Sequence, residues 1–303
     1  MDKLSDIGED ALILKLTGGL SGRAVVGPGD DCAVVDVGDA SRYQLLKTDT
    51  IVQGIHFLVD AFAEEVGWKA VARVISDFAA MGGEPDQLLV SVALPASTEV
   101  EYVEGLYRGM KRCADDFSAE ICGGETSSVP DGSAAVITIS GTGWVKRNSL
   151  TLRSNASAGD AVLVTGRLGG SIRGKHLTFT PRVDAARWLS TDAAVKPTAM
   201  MDLSDGIGKD LPRLARASGC GYSIDEDSLP KTSGCSAQQA LGDGEDYELL
   251  LTVPQQQVEG LLLAWKEKFP KLELTQVGMM IKQEGGAVAH ESGGWEHFSS
   301  DAN

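Results

Sequence analysis

Six short acidic motifs recur along this chain, and each offers oxygen atoms of the kind a hard divalent cation takes. They are Gly29-Asp30-Asp31-Cys32, Thr48-Asp49-Thr50, Ser76-Asp77, Gly123-Gly124-Glu125-Thr126, Asp202-Leu203-Ser204-Asp205-Gly206 and Gly244-Glu245-Asp246-Tyr247-Glu248. Each reads as a turn at the edge of an apolar stretch. A fold that gathered several of them would make a pocket too negative to persist without cations. Mg²⁺ binds through a few carboxylates plus substrate phosphates, so such a pocket suits a metal–polyphosphate complex. Solvated turn residues are the plain alternative, because Asp and Gly are common turn formers. Recurrence at the same kind of position favours a site.

Other motifs fall short of their patterns. Gly169-Gly170-Ser171-Ile172-Arg173-Gly174-Lys175-His176 nearly fits a phosphate-cradling P-loop, but His176 stands where a hydroxyl must ligate Mg²⁺. Gly206-Ile207-Gly208-Lys209-Asp210-Leu211 begins a dinucleotide fingerprint and lacks its final glycine. No Gly-x-Ser-x-Gly elbow anchors a hydrolase triad. His56, beside Phe57, reads either as a core histidine or as a polar group lining a pocket. Around Asp202, an extended backbone would send Asp202 and Ser204 to one side. Ser204 or Asp205 could cap the helix that follows, yet three polar side chains in four residues exceed what a helix start needs.

Helices and strands must position these groups. Residues 43–46 read as a short strand leading into Thr48-Asp49-Thr50 at its end. Residues 64–81 carry Val66, Ala70, Val71, Val74, Ile75 and Phe78 at helical spacing, and Gly82-Gly83 stops them. Asp77 then falls in the last helical turn, where a carboxylate opposes the helix dipole unless a cation lies nearby. Residues 98–117 repeat the helical pattern, and 134–143 read as a strand. The polar stretch 146–160 marks a domain boundary, giving units 1–147 and 148–303. Beyond it, 161–165 and 247–253 read as strands, and 207–218 and 258–269 as helices. Strands and helices in both halves indicate an α/β or α+β protein of two units.

A length of 303 residues allows two domains, and 43% hydrophobic with 23% charged residues predicts an ordinary filled core. The net charge of −16 argues against nucleic-acid binding, which needs a basic surface. It would also repel bare phosphate, a difficulty that metal ions remove, since few basic residues adjoin the motifs. Five cysteines without a C-x-x-C pair read as reduced thiols. The start, Met1-Asp2-Lys3-Leu4-Ser5-Asp6, lacks the plan of a signal peptide, and no apolar run could span a bilayer. The expectation is a soluble cytoplasmic protein with no membrane partner.

Taken in order, these motifs resemble the thiamine-monophosphate kinases, of the superfamily that includes aminoimidazole ribonucleotide synthetase. The resemblance runs from Ile7-Gly8-Glu9 to Gly294-Trp295-Glu296-His297-Phe298. Its most specific blocks are Ser76-Asp77-Phe78-Ala79-Ala80-Met81-Gly82 and Gly244-Glu245-Asp246-Tyr247-Glu248-Leu249. It implies an α+β fold of two domains: an N-terminal sheet domain that pairs in a homodimer near bound ATP, and a C-terminal α/β domain. It implies that Asp31, Thr48, Asp49, Asp77, Glu125, Asp202 and Asp205 surround several Mg²⁺ ions. Gly124, Glu125, Arg153, Ser204 and Tyr107 would contact ATP, and His56, Glu245 and Trp295 would line the thiamine monophosphate pocket. Asp205, Asp49 and Arg153 would carry catalysis, which moves the γ-phosphoryl group of ATP onto the acceptor's phosphate.

This chain departs from the family pattern at three places. Glu125 stands for the usual Asp, Lys47 for a small hydroxyl residue, and Arg73 for the usual Asn. Two added cations could replace a metal ion or weaken its binding. The rival readings are another ATP-dependent small-molecule synthetase of the superfamily and a catalytically lapsed ATP- or thiamine-binding protein.

Overall fold

Apolar spacing and strand alternation resolve into two five-stranded sheets with helices packed on them. The computed structural model describes residues 3–20, 22–283 and 293–294. The first half holds α1 (Leu4–Thr17), β1 (Ala33–Val35), β2 (Arg42–Val52), α2 (Ala63–Ala80), β3 (Glu84–Pro95), α3 (Val100–Asp116), β4 (Glu120–Val129) and β5 (Val136–Lys146). The second half begins with β6 (Asp160–Thr165), α4 (Lys175–Thr178), α5 (Val183–Thr191), β7 (Ala199–Asp202) and α6 (Ile207–Ala217). It continues with β8 (Gly221–Ile224), α7 (Ala237–Gly242), β9 (Leu249–Pro254), α8 (Val258–Lys268) and β10 (Leu274–Ile281). The architecture is α+β.

The first sheet has the order β1-β2-β5-β3-β4, antiparallel except where β3 and β4 run parallel across α3. The second, β7-β9-β6-β10-β8, is antiparallel throughout. Helix α2 lies between them. A helix apolar all round belongs inside a protein, and α2 is buried at almost every position from Val66 to Ala80. Gly67 and Gly109 let α2 and α3 touch, because a Cβ on either would strike the other helix's backbone carbonyl. Gly82, at φ +74, ends α2 in a conformation that a side chain would strain. Val66 and Phe78 of α2 share one core cluster with Leu163, Met200 and Trp265, so the halves pack as a continuous interior.

Two expectations need correction. Residues 43–46 are not a short strand ending before the acidic motif; β2 runs to Val52 and carries Thr48, Asp49 and Thr50 in its interior. Nor do all the motifs sit in turns. Gly123-Gly124-Glu125-Thr126 lies within β4 and Ser76-Asp77 within α2, whereas Asp30-Asp31 and Gly244-Glu245-Asp246 are irregular segments.

Candidate active site

The last turn of α2, the turn before β1 and the end of β7 converge on three carboxylates. Oxygens of Asp31, Asp77 and Asp202 lie within 4.8 Å of one another, and all three residues are buried. The Ser76 hydroxyl donates to Asp202 Oδ2 at 2.6 Å and so ties α2 to the second sheet. Burial, reinforced by the charge of Asp31, raises Asp202 to about 6. Burial likewise raises Asp30 to about 6, with Asp31 again adding to it, and drives Asp77 well above the usual carboxylate range.

Cations meet these acids directly, contrary to the impression that few basic residues adjoin the motifs. Lys47 Nζ donates to Asp77 Oδ1 at 2.8 Å, Arg73 pairs with Asp49 at 3.0 Å, and the Arg153 guanidinium donates to Asp31. The pleat explains why Lys47 and Asp49 both reach α2: alternate residues of β2 face the helix, as the buried Leu45 and Ile51 do. Asp205 is held by Arg213 at 2.5 Å, with Lys209 at 3.7 Å, and does not cap α6, whose N-cap is Gly206.

A second polar centre lies where the turn at His56 meets the segment around Glu245. Lys69, wholly buried on α2, donates to the His56 carbonyl at 2.5 Å and to Glu245 Oε2 at 2.7 Å. His176 Nδ1 lies 2.9 Å from that ammonium and 3.0 Å from the same Glu245 oxygen. Burial works against an ionised Glu245, but hydrogen bonding from His176 and the charge of Lys69 hold it down at about 2. Burial pushes Lys69 down to about 8 against the pull of Glu245. His56 is a pocket-lining group, borders an open cleft with Asp49, Ile55 and Arg73, and accepts through Nδ1 from the Val52 N–H at 3.1 Å. Sequence reasoning missed Lys69 and noticed His176 only as a failed P-loop position. The available signal was a lone lysine inside Val66-Gly67-Trp68-Lys69-Ala70-Val71-Ala72.

Other expected site residues are not gathered within this chain. Thr48 points to the outer face of the first sheet, where its hydroxyl meets that of Ser140 at 2.9 Å. Glu125 lies on β4, in register with Ser91 of β3 and three strands from β2, a separation of about 14 Å at the usual strand spacing. Gly124 lies on β4 beside Val90 of β3, where a Cβ would strike the Val90 carbonyl. Ser204 accepts through its backbone carbonyl from Glu245 N–H at 2.6 Å. Tyr107 is 36% exposed on α3. Trp295 lies outside the described residues. Of the remaining acids in the Gly244–Glu248 motif, Asp246 accepts from Gly169 N–H and the Ser171 hydroxyl, while Glu248 is bound by Lys175 and Arg182.

The donor set fits a hard divalent cation. It is all oxygen, it is buried, and among the described residues Asp31 Oδ2 has no hydrogen-bond partner. Such an orphan in a folded interior calls for a ligand, and carboxylates of this kind are what Mg²⁺ takes.

Comparison with known proteins bears on what such a site serves. The family model for the N-terminal domain of AIR synthase related proteins matches residues 29–145, and that for the C-terminal domain matches residues 136–291. The thiamine-monophosphate kinase of Rhodopirellula baltica is 36% identical over 92% of this chain and 88% of its own. That of Aquifex aeolicus is 32% identical over 98% of this chain and its own full length. The solved structure of AaThiL complexed with AMPPCP and TMP superposes with a TM-score of 0.83 at 32% identity, covering 98% of this chain and 99% of that one.

Proposed function

The chain belongs to the AIR synthase related family and, within it, to the thiamine-monophosphate kinases, and from that premise we propose that it moves the γ-phosphoryl group of ATP onto the phosphate of thiamine monophosphate. The products are thiamine diphosphate and ADP. The observation that carries this reading is the buried trio Asp31, Asp77 and Asp202, with one oxygen left unpartnered.

The chemistry suits a site with no dedicated base. A phosphate monoester has a second pKa of about 6, so the acceptor is already largely anionic at neutral pH. Alignment of two anions and neutralisation of charge do most of the work in phosphoryl transfer. Asp31, Asp77 and Asp202 would hold Mg²⁺, which would supply neutralisation of the phosphate charge when bound. Thr48, Asp49, Glu125 and Asp205 complete the proposed ligand set, Asp49 and Asp205 by exchanging an arginine for a metal ion. Arg153, anchored on Asp31, offers a fixed fork to a phosphate oxygen. Gly124, Ser204 and Tyr107 belong to the ATP side; His56, Glu245 and Trp295 hold the acceptor.

We further infer a homodimer built from the first domain, residues 1–147, with residues 148–303 as the second. The outer sheet face supports this, since Leu46 and Leu89 are 40% and 53% exposed there, beside a groove of about 470 Å³. Exposed apolar patches rimmed by polar groups mark interaction surfaces. Thr48 and Glu125 share that face, so two paired sheets would bring both toward one nucleotide. No described helix is long and apolar enough to cross a membrane.

Incubation with ATP, Mg²⁺ and thiamine monophosphate should yield ADP and thiamine diphosphate in equal amounts, and chelator should abolish both. Failure to convert thiamine monophosphate, or faster turnover of free thiamine, would overturn the assignment.

A further inference from the structure

An ammonium with none of its surface exposed needs a reason to be where it is. Lys69 projects from α2 into a space bounded by the His56 turn, α4 and the Glu245 segment. Its three polar partners are the His56 carbonyl at 2.5 Å and Glu245 Oε2 at 2.7 Å, to which it donates, and His176 Nδ1 at 2.9 Å, which donates to that same Glu245 oxygen. Two of these partners belong to the second half of the chain and one to the first. Well-packed apolar residues stabilise such a position as well as a buried ion pair does, or better. The gain from a lysine here is geometric.

Glu245 has the conformation of a residue that must be held. Its φ is +54 and that of Tyr247 is +50, both in the left-handed region that non-glycine residues rarely adopt. Strain of this kind persists only where the surroundings over-determine it, and it gathers at ligand clamps. The Glu245 N–H is fixed on Ser204 O at 2.6 Å, and its carboxylate on Lys69 and His176. The Glu245 side chain still keeps 23% of its surface exposed, so a ligand can reach it.

We propose that Lys69 is a positioning residue for the acceptor. By binding the His56 carbonyl and the Glu245 carboxylate with one ammonium, it sets the width and direction of the pocket that receives thiamine monophosphate. His176, the residue that spoils the P-loop pattern, is the third wall of that socket. The inference rests on the placement of His56 and Glu245 in the acceptor pocket.

The test compares the parent with Lys69→Met, Lys69→Gln and Glu245→Gln, reading KM for each substrate, kcat and thermal midpoint. Lys69→Met should raise KM for thiamine monophosphate by about tenfold or more, as lost supporting partners of a site typically do. KM for ATP should stay within about twofold, because that ammonium does not support the carboxylate trio. Lys69→Gln, whose amide keeps two N–H donors, should fall between; it also carries the test if the Met variant does not fold. An unchanged acceptor KM in either folded Lys69 variant, beside a raised one in Glu245→Gln, would overturn the role of Lys69 and leave the pocket standing. Parallel changes in both KM values and the midpoint would reduce Lys69 to a structural ion pair. An unchanged acceptor KM in Glu245→Gln would remove the pocket assignment, and the inference with it.

Discussion

Replacing Lys47 with methionine keeps an unbranched side chain, one atom shorter, and deletes the cation that faces Asp77. At 2.8 Å the attraction between these charges is about 6 kcal/mol at an effective dielectric near 20, before the desolvation of the ammonium is subtracted. Breaking a buried pair by removing one partner costs about 3–5 kcal/mol. Two features pull this case to the lower end: the Lys47 side chain is 23% exposed, and Asp77 already binds a proton readily. A net loss of about 2–3 kcal/mol follows in chelator, which for a chain of this size lowers the thermal midpoint by about 3–5 °C. Mg²⁺ should close much of the gap. Without Lys47 both oxygens of Asp77 are open to a metal ion, and a cation at a hundred times its Kd restores about 2.7 kcal/mol. Thermal unfolding with EDTA and across a Mg²⁺ titration reads both effects. Equal midpoints in EDTA, or a gap that Mg²⁺ leaves untouched, would refute the idea that Lys47 occupies a cation position.

Glu125→Gln should lower turnover by about tenfold to a hundredfold and raise the Mg²⁺ requirement, whereas Glu125→Asp should retain far more activity, as kinetics across a metal titration would show. Gly124→Ala should destabilise the protein by about 1–3 kcal/mol in denaturant titration, because its Cβ meets the Val90 carbonyl across the β3–β4 ladder. Free thiamine should be turned over at least about a hundredfold less efficiently than the monophosphate, since an alcohol must lose a proton in the transfer and the phosphate monoester is already anionic. Asp246 gives a pH test: burial raises it from 3.8 to about 6, so between those values the folded form holds a proton that the unfolded form lacks. Its contribution therefore grows as pH falls through 6 and is complete below about 4, and Asp246→Asn should flatten stability against pH across that window in thermal unfolding.

Helices α2, α3, α6 and α8 and strands β5, β6 and β9 were legible to within a few residues, because each is a periodic apolar run with a clear stop. Strand β2 was not, since Lys47-Thr48-Asp49-Thr50 looks like a turn by composition. Those charges are tolerated mid-strand because Asp77 and Arg73 wait on the opposing helix. The glycine-rich start of β4 misled for a similar reason: Gly124 is there to let the β3 backbone approach. In the site, Asp31, Asp77 and Asp202 could be listed from their motifs, but that they meet, and that Thr48 and Glu125 stand apart, depends on strand order. Lys69 stood out only as a lone lysine in an apolar run, and its role was hidden because its acidic partner lies 176 residues further on.

That sequence separation has a consequence for how the protein is made. Helix α2 leaves the ribosome early, with a largely apolar surface and two polar residues, Ser76 and Lys69, that have partners 126 and 176 residues downstream. At about 5–20 residues per second, that interval is on the order of 10 seconds. For that time the first sheet can cover only one side of α2, and the other is exposed to any sticky neighbour. Chaperone capture of the nascent N-terminal half is therefore to be expected during its synthesis. Expressed by itself, that half would carry the bare face permanently, and aggregation rather than a stable domain is the outcome its burial pattern dictates.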